Sequence, residues 1–60
     1  MIPKVQECYQ NAAECTRLAE QARDERARLF FLSLQVVWVN VAQNYEFIER
    51  TQQFLSSLGQ

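Results

Sequence analysis

In the first third of the chain, apolar or small residues recur every three or four positions. The members of this first seam are Val5, Cys8, Ala12, Cys15, Ala19 and Ala22. Such spacing puts about one side chain per helical turn on a single face and predicts an amphipathic helix. Pro3 suits the first turn, where its missing N–H would have no partner in any case. We predict helix 1 over about residues 3–22, with a thin Ala- and Cys-rich face that permits close helix approach.

The second half of the chain carries a seam with the same spacing but much larger side chains. Its members are Phe31, Leu34, Trp38, Val41, Tyr45, Ile48, Gln52 and Leu55. We predict helix 2 over about residues 26–57. The stretch from Leu29 to Tyr45 has no charged residue and is apolar nearly all round. A helix of this kind is buried on several sides, and one helix of the same chain cannot cover it. The pattern therefore predicts oligomerisation or a protein partner.

The link between the halves decides the fold. Nothing in residues 23–26 forbids a helix, so one continuous helix of about 80 Å is the alternative to a hairpin. However, continuing the first seam by heptads leads to a largely polar run, namely Arg26, Leu29, Ser33, Val36, Asn40 and Gln43. The second seam is displaced by more than a straight helix drifts, and Asp24 can cap a new helix start. The pattern favours a hairpin.

The sequence therefore predicts an all-α fold, with residues 1–60 forming one antiparallel two-helix hairpin. We expect it to assemble into a four-helix bundle or larger oligomer, with a dimer favoured. Five residues are predicted to pack against helix 1, namely Leu34, Trp38, Val41, Tyr45 and Ile48. Four more are predicted to form the contact between chains, namely Phe30, Phe31, Val37 and Val39.

Composition excludes several kinds of chemistry. The formal net charge is -1 and there is no histidine. Nucleic-acid binding requires clustered Lys and Arg, whereas the basic residues at 23, 26 and 28 are interleaved with Asp24 and Glu25. Histidine, the commonest general base and metal ligand, is therefore absent. We interpret Glu46 and Glu49 as part of a solvated helix face. We therefore expect no enzyme, no cofactor and no nucleic-acid partner.

Cys8 and Cys15 are the only cysteines. Seven residues separate them, about 10.5 Å along a helix, so they cannot form a disulfide with each other. We interpret them as small buried apolar residues. As a weaker alternative, cysteines of different chains could meet and bind a soft metal or form an intermolecular disulfide.

A membrane span is disfavoured, though the segment from Leu29 to Tyr45 comes close to the required length. Amide and hydroxyl side chains interrupt it, and Trp38 lies in its middle instead of at an interface. No apolar core precedes Glu7, so we expect no secretory signal and a cytoplasmic location. The remaining alternative is a small accessory subunit that packs helix 2 against a larger, possibly membrane-embedded, complex.

Residues 13–24 contain a Glu-Cys-x-Arg-Leu-Ala-x-x-Ala run, and Arg28, Trp38, Ala42 and Glu46 follow it. With these residues, part of the chain resembles a group of very short, uncharacterised bacterial proteins. Their pattern runs Glu-Cys-x-Arg-Leu-Ala-x-x-Ala, an Asp-Pro turn, an Arg-Leu-Leu stretch, and a Trp followed by a small apolar residue. Glu25 stands where the pattern has Pro, and residues 30–41 are more apolar than the pattern. The resemblance implies a two-helix hairpin and no known activity.

Overall fold

Two helices and a short turn make up the fold. The computed structural model describes the backbone of residues 3–59 and the side chains of residues 4–59. Helix α1 covers Pro3–Gln21 and helix α2 covers Glu25–Leu58. The part of the chain that the structure describes contains no strand. The predicted all-α hairpin is confirmed, and its helix bounds agree with the predicted ones to within one residue.

The turn at residues 22–24 separates the helices through ordinary end chemistry. The Ala22 N–H donates to the Ala19 carbonyl, which closes the last turn of α1. Asp24 has extended backbone angles and its carboxylate accepts from the Ala27 N–H at 2.8 Å. That bond satisfies one of the amides that a helix start leaves unpaired. The alternative of one continuous helix is therefore wrong.

The core of the hairpin is the predicted seam of α1. Five of its six residues are buried, namely Val5, Cys8, Ala12, Cys15 and Ala19. Ala22 is partly buried at the end of this row. The helix therefore uses one narrow face, and nearly all its other positions are exposed.

Helix α2 turns a different face toward α1 than its large residues predict. Ala42 is 0% exposed and is its one fully buried residue within the described chain. Trp38 and Tyr45 flank it and are partly buried, as expected. Ile48, however, is 45% exposed, so its predicted place in the hairpin core is wrong. Small residues on both helices allow the closest approach, and this centres the contact on Ala42 instead of on the larger side chains.

The two helices differ greatly in length. At 1.5 Å per residue, α1 is about 28 Å long and α2 about 51 Å. Val5, near the start of α1, lines a groove together with Glu46, Glu49 and Arg50. Beyond that level α2 continues without a neighbour, and residues 51–59 are all exposed. The Cα atoms of the molecule consequently extend over 55 Å by 15 Å by 9 Å.

Candidate interaction surface

Next to the face of α2 that meets α1 lies a long row of mainly apolar residues, which we call the outer stripe. Its members are Phe30, Leu34, Val37, Val41, Asn44, Ile48, Thr51, Leu55 and Leu58. Leu34 and Val41 at its inner edge are partly buried, and its other members are exposed. At 3.6 residues per turn, this row lies about 120° around the helix from Ala42. Its five most exposed apolar side chains are 45–66% exposed. The outer stripe has no charged member, and this composition is typical of interaction surfaces.

A second exposed row lies on the remaining side of α2, and we call it the side stripe. Its members are Leu29, Val36, Phe47 and Phe54. The polar residues Asn40, Gln43 and Arg50 interrupt this row. With α1, the outer stripe and the side stripe at roughly equal angles around the helix, α2 has three apolar faces and only one is covered. This arrangement follows from a segment that is apolar all round.

The residues predicted for the contact between chains lie in two different surroundings. Phe30 and Val37 are exposed on the outer stripe, as is Ile48, which was expected in the core. The Phe30 ring packs edge-on against Phe31, with 5.4 Å between the centroids. Phe31 and Val39, also predicted for the contact between chains, are partly buried, and so are Leu34, Trp38, Val41 and Tyr45, which were predicted to pack against helix 1. No partner chain is present, so their role in association stays a prediction.

The two thiols lie inside the hairpin. Cys8 and Cys15 are both free and both buried in the α1 seam. Among the residues that the structure describes, no group of three or more Cys, Asp or Glu side chains is placed to hold a metal ion. Cys8 lines a groove between the helices, but Cys8 is only 4% and Cys15 only 7% exposed. The geometry therefore offers the predicted thiol alternative no ready site.

One polar contact between the helices escaped the sequence-based interpretation. The Tyr9 hydroxyl donates to the Glu46 carboxylate at 2.6 Å. This hydrogen bond is the main cause of a raised Tyr9 pKa, and desolvation and the Glu46 charge act in the same direction. Glu46 was expected on a solvated face, but it is partly buried at the edge of the contact. The position of Tyr9 beside the first seam was the one feature of the sequence that could have indicated a hydrogen bond to the other helix.

Two exposed ion pairs lie within single helices. Arg17 pairs with Glu14 on α1, and Arg28 pairs with Glu25 in the first turn of α2. Hydrogen bonds from the arginines lower the pKa of both carboxyl groups. All four side chains are about half exposed or more, so solvent screens the pairs and they add little to stability.

The grooves between the helices are small and open. One has a volume of about 300 Å³ and lies beside Val5. Another, of about 220 Å³, lies between the start of α1 and the side chains of Trp38, Val41 and Tyr45. Sites for small molecules usually measure about 300–1,000 Å³, so these grooves are at or below the lower limit. The extended apolar faces of α2 are the more prominent surface.

Neither helix of the described chain combines the length and apolarity needed to cross a membrane. Comparisons with models of protein families, with curated proteins and with solved structures found no match. The resemblance to short bacterial hairpin proteins therefore stays a prediction, and function has to be argued from the surface itself.

Proposed function

We propose that this chain is a non-catalytic interaction module that associates with protein through the apolar faces of α2. The observation that carries the proposal is the outer stripe, whose apolar side chains are up to 66% exposed. Soluble monomers rarely expose contiguous apolar patches of more than a few hundred Å². The outer stripe follows most of a 34-residue helix, so its exposed apolar side chains form one long row instead of scattered positions.

The total surface supports the same proposal. The chain exposes 4871 Å². A folded monomer of 7.1 kDa is expected to expose about 4,100 Å², which leaves an excess of about 800 Å². One partner in a standard protein–protein interface buries about 800 Å². The excess is therefore about the area that one well-formed contact would cover.

The proposal includes homo-oligomerisation and a cytoplasmic setting. Self-association needs no other gene product to cover α2, and a dimer of hairpins would form a four-helix bundle. The hairpin is held by packing, and its two thiols are free and buried. It therefore has no need of an oxidising compartment.

The direct test is light scattering behind a sizing column on the reduced chain without detergent, with far-UV circular dichroism of the same peak. We expect a discrete helical oligomer. A helical monomer that stays soluble at about 100 µM would contradict the proposal, since exposed apolar faces of this extent favour association.

A second candidate is an accessory subunit of a larger complex. The side stripe favours it, because a single contact through the outer stripe would leave Phe47 and Phe54 uncovered. For this function we expect the chain alone to aggregate and a mild detergent to restore a helical species. The same sizing experiment therefore separates the two candidates.

A further inference from the structure

The outer stripe has an internal order that points to a particular occupant. Its spacings alternate between four and three residues over about 42 Å, which is the heptad repeat of a coiled coil. One row consists of Leu34, Val41, Ile48 and Leu55, and the other of Phe30, Val37, Asn44, Thr51 and Leu58. A stripe with this repeat fits a second helix with the same repeat along its whole length, and α2 itself is such a helix.

We propose that two copies of this chain pair through their outer stripes, with the two α2 helices antiparallel and both Asn44 side chains beside the two-fold axis. This inference rests on the proposed function and specifies its partner, its register and its orientation. The outer stripe has no charged residue, so two copies meet without like-charge repulsion. The excess surface of about 800 Å² per chain is one copy's share of a standard interface.

The unequal helix lengths favour the antiparallel orientation. Residues 51–58 of α2 extend beyond α1 and are exposed. In a parallel pair these two extensions would contact only each other. In an antiparallel pair, Leu55 of one copy lies opposite Phe30 of the other, next to the turn and the end of α1. Each extension then packs into a hairpin, and the helix dipoles oppose each other favourably.

The flanks of the outer stripe favour the same orientation. Trp38 and Tyr45 occupy equivalent heptad positions on one flank and are only partly buried. An antiparallel pair places Trp38 of one copy beside Tyr45 of the other, and such aromatic pairs are favourable. A parallel pair places the same two side chains beside Ser33 and Asn40, which offer no comparable contact.

Asn44 and the aromatic flank together set the register. Asn44 lies at the middle of the outer stripe, as the central residue of its row. Antiparallel pairing with Leu55 opposite Phe30 brings the two Asn44 side chains into neighbouring layers at the centre. An amide both donates and accepts, so two of them can pair with each other. A shift by one heptad that sets Ile48 opposite Phe30 would separate the amides and leave each one buried against apolar residues at a cost. A shift in the other direction keeps the amides in neighbouring layers but takes Trp38 away from Tyr45. A polar residue in a seam is a known means of selecting register.

The first test uses two neighbouring valines. Val36 and Val37 are 54% and 52% exposed but point about 100° apart, and only Val37 is in the outer stripe. We expect Val37→Asp to raise the dimer dissociation constant at least about 100-fold, since each chain would bury an unpaired carboxylate. Val36→Asp is the matched control and should leave it within about threefold. The milder pair Val37→Ala and Val36→Ala gives the same comparison should an aspartate impair folding.

The second test determines orientation by disulfide trapping. In a Cys8→Ala, Cys15→Ala background that circular dichroism shows to be helical, we would prepare Phe30→Cys and Leu55→Cys chains separately. The antiparallel pair predicts a disulfide only after the two proteins are mixed, because cysteine Cα atoms must lie within about 7 Å. Replacing Asn44 by Val should tighten the dimer and let each chain also link to its own kind.

The outcomes separate this inference from the proposed function. Self-linking of each single-cysteine chain would overturn the antiparallel orientation but leave the interaction module intact. An oligomer that Val36→Asp dissociates and Val37→Asp does not would place the contact on the side stripe and overturn the inference. A soluble monomer that neither change affects would contradict the proposed function as well.

Discussion

The two helices of this hairpin differ in how many of their sides are apolar. Helix α1 has one narrow seam of mainly small residues, and α2 covers all of it except Ala22, which is partly buried. Helix α2 is apolar on three sides, but α1 covers only the one that includes Ala42. A helix with one apolar face needs one neighbour, whereas a helix with three remains incompletely buried in a hairpin. The comparison shows why we expect so small a chain to gain much of its burial through association.

The contact within the hairpin is also thinner than the faces left outside it. The buried residues of this contact are Val5 together with alanines and cysteines of the two helices, while the phenylalanines at 30, 47 and 54 are exposed. Large side chains usually dominate the burial of a core. Here most of them are on the uncovered sides of α2. Substitutions that enlarge or empty the thin contact should therefore affect the hairpin differently from changes on the exposed faces.

The largest effect is expected from Ala42→Leu. Ala42 is 0% exposed, and extra volume at a well-packed site typically costs about 1–3 kcal/mol. We expect about 3 kcal/mol, because two helix backbones approach closely at this point. Thermal unfolding followed by circular dichroism would measure it. The control is Ala13→Leu, at an exposed position of α1, and a similar loss there would show that the contact is not unusually close.

Trp38→Ala tests the larger residues at the edge of the contact. Removing a fully buried Trp costs about 3–5 kcal/mol, but Trp38 is only partly buried. We expect a loss of about 2 kcal/mol, measured by chemical denaturation at a concentration where the chain is monomeric. Phe54→Ala, on the extension of α2 beyond α1, should change monomer stability by less than about 0.5 kcal/mol. Equal losses would mean that the exposed faces also stabilise the isolated hairpin.

Asp24→Ala tests the boundary between the two helices. Losing an N-cap typically costs about 1 kcal/mol of stability. In this chain the lost interaction is the hydrogen bond from the Ala27 N–H to the Asp24 carboxylate. We expect a lower melting temperature with little change in helix content. Asp24→Asn keeps an acceptor and should recover most of the loss. Arg23→Ala, in the same turn, is the neutral control, and a matching loss there would mean that the turn as a whole limits stability.

The smallest effect is expected from Tyr9→Phe, and it depends on pH. The Tyr9 pKa is raised in the folded chain, chiefly by the hydrogen bond to Glu46. The neutral phenol is thus favoured by folding. Its contribution is complete below the ordinary value of 10.0 and is lost as pH rises through the raised folded pKa. Above pH 10, we therefore expect the stability of the unaltered chain to fall more steeply with pH than the stability of the Tyr9→Phe variant.

This comparison of stability at alkaline pH needs a control, because the chain has a second tyrosine, Tyr45, that also ionises. Tyr45→Phe keeps the Tyr9–Glu46 bond and should retain the steeper fall in stability. Denaturant midpoints at matched pH values would show the difference. Parallel curves for the unaltered chain and Tyr9→Phe would indicate that the hydrogen bond does not contribute in solution.

Much of the architecture was predictable because it depends on local patterns. The α1 seam is a clean repeat of small residues beside polar ones, and every member of it from Val5 to Ala19 is buried. The break between helices was visible as two seams that do not join, and Asp24 marks the new start. These features require only helical periodicity and end chemistry. The predicted bounds were accurate for that reason.

The face of α2 that meets α1 was not predictable in the same way. Because the segment is apolar nearly all round, its periodicity permits several faces. The positions of the large residues predicted a seam that includes Ile48, but Ile48 is exposed. Ala42 was not part of that seam, although it is fully buried. The partial burial of Glu46 was missed because a Glu-x-x-Glu pair usually indicates solvent. Tyr9 on the opposite helix supplies the partner that explains it.

By itself, then, the sequence determined two helices, the turn between them and the single face of α1, and it predicts a partner for α2. Only the tertiary structure decided which side of α2 receives α1, and hence which apolar rows are left outside as the outer stripe and the side stripe. The physical reason is that periodicity shows which faces of a helix are apolar, but not which of them packs against the neighbouring helix. That choice depends on how closely two backbones can approach, and small residues such as the buried Ala42 permit the closest contact.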